Sequence, residues 1–328
     1  MSIERINLGK ELEICRILNG MWQVAGGHGQ IDNDLAISDM IEYHNSGFTT
    51  WDLADIYGPA ESLIGKFRER INKTQSQALT KFVPNPGPMT NSIVNHYIEQ
   101  SLKKMNVDSI DLLQFHWWDY NDSGYIDALH HLAKLQNEHK IKHLGLTNFD
   151  TERVKIIIEN GFQIISNQVQ YSILDQRPEK VMTPFFTKNR IKILTYGTLL
   201  GGLFSEKYLD VEEPYRGELI TSSLQKYKNM IDVWGGWQLF QELLHSLNKI
   251  AKKHSCSIAN IATRFVLDKP QVAGVIIGAR LGITNHIKNN VQVFNVKLDK
   301  DDLSLINSIT VKSNDLFEII GDCGGEYR

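Results

Sequence analysis

Short apolar runs alternate along the chain with longer segments in which apolar residues recur at helical spacing. Eight of these runs have the length and composition of β-strands. They are residues 17–20, 49–52, 77–81, 111–116, 143–147, 166–170, 192–196 and 272–277. Helical patterns between them cover residues 34–45, 62–71, 90–105, 125–139 and 151–160. This order is typical of repeated strand–helix–strand units.

The predicted strands are apolar throughout, without the in–out alternation of a half-exposed sheet, which indicates a parallel sheet covered on its outer face. Eight such strands predict a closed (β/α)8 barrel, and we expect residues 1–328 to form a single domain. An open doubly wound sheet is the alternative, and it would carry a G-x-G-x-x-G fingerprint after its first strand. Gly26-Gly27-His28-Gly29 lies there, but Asp32 replaces the third glycine, so we interpret the segment as a flexible loop.

Three segments lie outside the regular alternation. Residues 3–15 predict a β-hairpin that turns at Leu8-Gly9-Lys10. The interval between Tyr196 and Val272 is too long for one crossover, and it predicts a long loop plus an extra helix at the open end of the barrel, with helical patterns near 237–254 and 257–268. The glycine-rich tail at 321–325 is predicted to be mobile.

Composition narrows the possible partners. With 42% hydrophobic and 22% charged residues the chain is typical of a globular protein. Its 35 basic and 38 acidic residues leave no basic surplus for a nucleic acid or an anionic membrane, and we expect neither partner. No apolar stretch reaches the length of a membrane span. Cys15, Cys256 and Cys323 lack paired spacing, so we expect free thiols and a cytoplasmic protein.

The candidate chemistry lies at the carboxyl ends of the predicted strands, where parallel barrels carry their active sites. Six of these strand ends carry a residue that can titrate or form hydrogen bonds. Two further residues of this kind lie in loops that follow a strand. They are Asp52, Lys81, His116, Asn148, Gln168 and Tyr196, with Tyr57 after Asp52 and Arg280 after the last strand. Any single polar residue is expected at a solvated strand end, but the set as a whole is chemically interpretable.

Tyr57, Lys81, Asp52 and His116 form an acid–base set without a nucleophile. A tyrosine titrates near pH 10, which makes it a weak acid at neutral pH. The Lys81 ammonium would favour the Tyr57 phenolate, and Asp52 would hold that ammonium in place. His116 would then donate a hydrogen bond to a substrate carbonyl.

Five separated motifs resemble the aldo-keto reductase superfamily. Residues 47–58, GFTTWDLADIYG, are similar to its D-x-A-x-x-Y-G signature, and residues 80–82, 111–116, 145–149 and 167–171 follow in matching order and spacing. The resemblance implies a (β/α)8 barrel that binds NADP(H) without a Rossmann fold and interconverts carbonyl and alcohol groups. Tyr57 would be the general acid.

The resemblance also implies the cofactor contacts. Asn148 and Gln168 would bond the nicotinamide carboxamide, and Tyr196 would stack on its ring. Backbone amides of Leu199 and Gly201, in a loop where Gly197 and Thr198 replace the family's serine and proline, would bind the pyrophosphate. The residues that would surround the adenosine end are Gly278, Arg280, His286, Asn289 and Asn290.

The adenosine segment departs from the family pattern. A second arginine and a serine often bind the 2′-phosphate, whereas this chain has His286 and Leu281. Arg280 can still stack on adenine or pair with phosphate. A preference for NADPH is therefore a hypothesis, and NAD(H) stays open.

We expect a small-molecule carbonyl substrate, either an aldehyde or a ketone, and a monomer or small homo-oligomer. Trp22, Tyr57, His116 and Trp117 are the predicted substrate contacts. Further apolar residues that could line the mouth are Met21, Trp51, Trp234 and Trp237.

Two other functions compete with a carbonyl reductase. A metal-dependent barrel hydrolase is one, because His116, Asp52 and Lys81 occur in such sites too. It needs more imidazole or carboxylate ligands at strand ends, typically paired as H-x-H, and this pair does not occur in the sequence. A non-enzymatic NADP(H)-binding regulatory subunit of the same fold is the other alternative. The complete acid–base set favours catalysis over that role.

Overall fold

The computed structural model describes residues 3–26, 31–72 and 75–327. Eight parallel strands form a closed barrel in which the last strand pairs with the first, and helices surround it. The barrel strands are β3 (Ile17–Gly20), β4 (Thr50–Asp52), β5 (Gln77–Phe82), β6 (Ile110–Phe115), β7 (Ile141–Thr147), β8 (Ser166–Gln170), β9 (Lys192–Tyr196) and β10 (Val272–Gly278). The predicted (β/α)8 barrel is confirmed, and each strand boundary agrees within two residues.

The helices between successive strands bury one face against the barrel and expose the other. Single helices follow the strands β3 to β8: α1 (Asn33–Asn45), α2 (Ala60–Arg68), α3 (Asn91–Met105), α4 (Gly124–Asn137), α5 (Thr151–Glu159) and α6 (Met182–Asn189). Between β9 and β10 lie α7 (Ser222–Trp234), α8 (Gly236–Lys253) and α9 (Ile258–Leu267), and after β10 come α10 (Ile287–Val293), α11 (Lys300–Thr310) and α12 (Leu316–Ile320). Side-chain caps fix the starts of some of these helices; at the beginning of α5, for example, the Asp150 carboxylate accepts the Arg153 amide.

The N-terminal hairpin closes the end of the barrel where the strands begin. It consists of β1 (Arg5–Gly9) and β2 (Leu12–Cys15), so the prediction of a hairpin is confirmed. The turn prediction was displaced, because Leu8 and Gly9 belong to β1 and the left-handed residue of the turn is Glu11, with φ of 58°. Apolar side chains of the hairpin pack with those pointing into the barrel, as one cluster of Leu8, Leu12, Ile14, Leu18, Leu79, Leu112, Leu194 and Ala273.

Between β9 and β10 the chain forms the expected long loop and additional helix. The helix α7 was not predicted, whereas α8 and α9 agree with the patterns near 237–254 and 257–268. Trp234 and Trp237 are buried in this insert, and the Trp237 indole donates to the Val211 carbonyl at 3.0 Å. Neither tryptophan therefore lines an open mouth.

The C-terminal tail is packed on the barrel, and the prediction of a mobile tail was wrong. Cys323 is buried, and the Thr151 amide donates to the Asp322 carboxylate at 2.7 Å. The predicted loop at Gly27, His28 and Gly29 lies outside the described residues.

Arg16 joins the first and the last strand of the barrel. Its guanidinium donates to the carbonyls of Leu267 at 2.5 Å and Val272 at 2.9 Å, next to the pairing of β10 with β3. Glu4 pairs with Arg264 at 2.8 Å on the same side. Residues from the start and the end of the sequence thus hold this junction together.

Candidate active site

Asp52 and Lys81 form a buried ion pair at the ends of the neighbouring strands β4 and β5. The Lys81 ammonium lies 2.7 Å from one oxygen of Asp52 and 2.8 Å from the Leu53 carbonyl oxygen. Both side chains are almost fully buried. Burial lowers the pKa of Lys81, and the negative charge of Asp52 opposes that shift.

Two glutamines complete the surroundings of Asp52. Gln114 and Gln168 donate from their amide nitrogens to the second Asp52 oxygen, at 3.1 Å and 2.7 Å. Gln168 also lies 2.7 Å from the Gln114 amide oxygen. Asp52 is therefore held by three side chains, which keeps its carboxylate satisfied and directed at Lys81.

Tyr57 lies over this ion pair. The Lys81 Nζ is 4.9 Å from the centroid of the Tyr57 ring, and the Trp22 ring meets the same ring edge-on at 5.0 Å. Tyr57 is half-buried, and Trp22 is 42% exposed. The structure thus brings Asp52, Lys81 and Tyr57 together, with Trp22 at the solvent side.

A further carboxylate lies close to this group. The Asp55 side chain accepts the Val83 amide at 3.1 Å. Burial raises the pKa of Asp55 to about 6, and the Val83 hydrogen bond opposes the shift. Asp55 also contributes to the charge around Lys81, so its ionisation changes the field at the site.

His116 follows β6 and is buried beside Trp118. Their rings are 4.3 Å apart, and Trp118 is 38% exposed. Trp117 was predicted as a substrate contact, but it is 0% exposed, and its indole donates to the carbonyls of Asp119 and Asp122. Met21 and Trp51 are likewise buried. The neighbouring Trp118 occupies the open position that we expected for Trp117.

Asn148 and Tyr196 lie together on the other side of the mouth. The Tyr196 hydroxyl donates to the Asn148 amide oxygen at 2.8 Å, and Asn148 itself is left-handed with φ of 59°. The third residue of the predicted nicotinamide set, Gln168, points into the barrel and bonds Asp52 and Gln114. Two of the three residues are therefore paired directly, and the third is shared with the acid–base group.

The loop after β9 has the form of an anion-binding turn. Gly197, Leu200, Gly201 and Gly202 all have positive φ. The amides of Leu199 and Gly201 have no hydrogen-bond acceptor within the described residues. A Cβ on Gly201 would lie 3.1 Å from the Ser223 backbone, because α7 packs against this turn. Backbone amides without an internal acceptor at such a turn can bind an anion such as a pyrophosphate.

The residues predicted around adenosine share one end of the barrel after β10. Arg280 is exposed with φ of 43°. Burial of His286 lowers the pKa of that histidine, and the charge of Arg280 lowers it further. Asn289 is exposed and accepts the Ser257 hydroxyl at 3.1 Å, whereas Asn290 is buried. Gly278 packs against Gln23, since a Cβ there would lie 2.0 Å from its amide nitrogen.

A closed parallel barrel with an acid–base set at the carboxyl ends of its strands defines a barrel enzyme. The model of the aldo/keto reductase family matches residues 16–311, and the chain belongs to this family. It is an NAD(P)H-dependent oxidoreductase. The superfamily resemblance derived from the five motifs is confirmed.

Three similar proteins illustrate the range of the family. An NADH-specific methylglyoxal reductase from Escherichia coli is 22% identical over 94% of this chain and 98% of its own length. A glycerol dehydrogenase from Gluconobacter oxydans has a TM-score of 0.78 at 22% identity, over 98% of this chain and 96% of that one. An aldo-keto reductase from Klebsiella pneumoniae, solved with NADPH, has a TM-score of 0.72 at 18% identity, over 94% and 95%. Both nicotinamide cofactors therefore occur among proteins similar to this chain.

Within residues 3–26, 31–72 and 75–327, no helix is long and apolar enough to cross a membrane. Those residues also contain no group of three or more histidine, cysteine, aspartate or glutamate side chains placed to hold a metal ion.

Proposed function

We propose that the protein reduces aldehyde or ketone carbonyls to alcohols, with Tyr57 as the general acid. The observation that carries this proposal is the buried Lys81 ammonium, 2.7 Å from Asp52 and 4.9 Å from the Tyr57 ring centroid. A cation at this distance favours the phenolate and makes Tyr57 a stronger acid. When bound, the nicotinamide cofactor supplies the hydride.

Each member of the acid–base group has a separate role. The Tyr57 hydroxyl protonates the carbonyl oxygen, Lys81 stabilises the phenolate that remains, and Asp52 holds Lys81. His116 donates a hydrogen bond that orients the carbonyl. Trp22 and Trp118 flank the mouth, which suits a small or aromatic carbonyl compound.

Separate groups of residues would contact the nicotinamide, the pyrophosphate and the adenosine of the cofactor. Asn148 and Gln168 would bond the carboxamide, Tyr196 would stack on the nicotinamide ring, and the amides of Leu199 and Gly201 would bind the pyrophosphate. Arg280 and His286, with Gly278, Asn289 and Asn290 nearby, would receive the adenosine end. A cationic Arg280 favours the 2′-phosphate, so we propose NADPH as the preferred cofactor.

We also propose that the protein works in a reducing compartment such as the cytoplasm. Cys15, Cys256 and Cys323 are all free thiols in the structure, and two of them are buried. Such thiols are typical of proteins that are not exposed to oxidising conditions.

The proposal is tested by following NADPH and NADH absorbance with a panel of aldehydes and ketones, using the natural protein and Tyr57→Phe. We expect turnover in the natural protein and a loss of at least about 100-fold in kcat for Tyr57→Phe, because general acid catalysis contributes that much. Tyr97→Phe is the matched control, since Tyr97 lies on α3 and is 40% exposed.

Undiminished turnover in Tyr57→Phe would show that Tyr57 is not the general acid. Tight NADPH binding without turnover of any carbonyl would favour the regulatory-subunit alternative.

A further inference from the structure

Arg177, in the segment after β8, is a buried arginine that the proposed reaction does not use. It is 2% exposed, and its guanidinium holds the Asp175 carboxylate with two bonds of 2.8 Å. Asp175 is fixed in turn by the Gln170 amide at 2.7 Å. A bidentate pair of this kind is rigid and gives Arg177 a defined direction.

The remaining donors of Arg177 hold the C-terminal tail. They lie 3.4 Å and 3.3 Å from the carbonyls of Gly321 and Asp322, and 3.0 Å from one carboxylate oxygen of Glu326. The Gly324 amide donates to the same Glu326 oxygen at 3.0 Å. The position of Glu326 is therefore set by a buried ion pair and a backbone amide.

The second oxygen of Glu326 reaches the candidate cofactor site. It lies 3.3 Å from the Tyr196 hydroxyl, which also lies 2.8 Å from the Asn148 amide oxygen. The single phenolic proton of Tyr196 thus has two acceptors, and the shorter bond goes to Asn148. One tail residue contacts the pair that we assign to the nicotinamide.

We propose that Glu326 is a positioning residue for Tyr196 and, through it, for the nicotinamide end of the cofactor. This inference rests on the assignment of Tyr196 and Asn148 under the proposed function. Side chains that contact a cofactor are precise only when their own orientation is fixed by neighbouring hydrogen bonds. Glu326 supplies that restraint from a part of the chain 130 residues after Tyr196.

The first experiment measures NADPH binding by its fluorescence in the full-length chain with Glu326→Ala. We expect roughly 5-fold weaker binding and a higher KM for NADPH, since one hydrogen bond to a charged group is lost and its effect is indirect. Glu318→Ala is the matched control, because Glu318 is an exposed glutamate of α12 in the same tail. That variant should bind as the natural protein does.

Glu326→Gln tests whether the contact acts as a hydrogen bond. The glutamine oxygen can face Arg177 and Gly324, while its NH₂ group donates to the Tyr196 oxygen. We expect NADPH binding within about 2-fold of the natural protein, a difference worth less than one weak hydrogen bond. Binding as weak as in Glu326→Ala would contradict the proposed contact.

A double-mutant cycle with Tyr196→Phe separates positioning from tail packing. If Glu326 acts through the Tyr196 hydroxyl, Glu326→Ala adds less than about 2-fold in the Tyr196→Phe background. Equal effects in both backgrounds would mean that the tail only packs, and they would overturn the inference. Thermal unfolding without NADPH checks that each variant folds, and Glu326→Ser replaces the alanine variant in the cycle if that variant is unfolded.

These experiments distinguish a failure of the Glu326 proposal from a failure of the proposed function. A natural protein that binds neither NADPH nor NADH refutes the cofactor assignment itself. If the natural protein binds NADPH and Glu326→Ala binds it with equal affinity, only the role of Glu326 is refuted.

Discussion

At the scale of single residues, the site depends on charges that are kept out of water. Lys81 and Asp52 are both buried, and removing one partner of such a pair leaves an uncompensated charge. Gln114 and Gln168 bond Asp52 from two other strands, so the carboxylate is fixed before any ligand binds. This preorganisation is what electrostatic catalysis requires.

Asp55 makes the stability of the protein depend on pH. Its pKa rises from 3.8 to about 6 on folding, so the folded state binds a proton more tightly than the unfolded state. The free energy of unfolding should therefore fall as pH rises from about 4 to about 6. Asp55→Asn removes this titration and should raise the free energy of unfolding at pH 7 by about 1–3 kcal/mol.

Denaturant unfolding at several pH values measures the effect. Asp108→Asn serves as the control, since Asp108 is exposed in the turn between α3 and β6. An identical pH dependence in Asp55→Asn and the natural protein would show that Asp55 is not the group responsible.

The residues at the site were only partly predictable. Asp52 and Lys81 lie in the last residues of β4 and β5, and Tyr57 and His116 follow β4 and β6, so the order of predicted strands was enough to select them. Trp118 was missed because it lies beyond the end of β6, where strand alternation does not indicate which way a ring points; its ring contacts that of His116, whereas Trp117 is buried. Gln114 lies within β6, two positions before His116, and the alternation of side chains along a strand could have indicated that it faces the site.

At the scale of elements, the turn after β9 and the helix α7 act as one unit. Gly197 and Gly201 allow the turn to approach α7 closely, since a Cβ on Gly197 would lie 2.4 Å from the Tyr227 hydroxyl. The helix escaped prediction because its buried face includes Lys228, whose ammonium pairs with Glu213 and Asp232 at 2.6 Å. A lysine at a buried position hides the apolar spacing that predicts a helix.

Gly201→Ala tests whether this turn binds the cofactor. The new methyl group meets the Ser223 backbone at 3.1 Å and occupies a left-handed position with φ of 67°. The turn must shift, and we expect NADPH binding to weaken about 10-fold as the Leu199 and Gly201 amides move, since one or two charge-assisted hydrogen bonds are lost.

Gly202→Ala is the matched control, because Gly202 also has positive φ but has open space where a Cβ would lie. Fluorescence titration with NADPH compares the two variants. Equal NADPH affinity in the two variants would show that this turn does not bind the cofactor.

At the scale of the whole molecule, the sequence pattern was sufficient for the architecture. Eight strands with both faces buried could be recognised from their apolar runs, because period and length are local properties. Contacts between distant residues could not, as the pairing of Arg177 with Glu326 across 149 positions shows. The single-domain organisation and the oligomeric state stay predictions.

Cofactor binding should stabilise the entire barrel, since NADPH binds only the folded state. At a concentration 100 times its Kd, a ligand adds about 2.7 kcal/mol to the free energy of unfolding. We expect Arg280→Ala to reduce the thermal shift produced by NADPH and to leave the shift produced by NADH unchanged, because Arg280 would pair with the 2′-phosphate that NADH lacks.

Arg190→Ala provides a control that removes the same charge, as the exposed Arg190 lies between α6 and the start of β9. Equal loss of both thermal shifts in Arg280→Ala would assign this arginine to adenine stacking and leave the cofactor preference open.

The junction of β3 and β10 sets a condition on synthesis. Arg16 leaves the ribosome early, yet the carbonyls that it bonds belong to Leu267 and Val272. Until those residues have been translated, β3 and the growing edge of the sheet keep unpaired backbone groups, which are the groups through which chains associate wrongly. We therefore expect nascent chains of this protein to need protection from one another until β10 has left the ribosome, and chaperone dependence should end at that point.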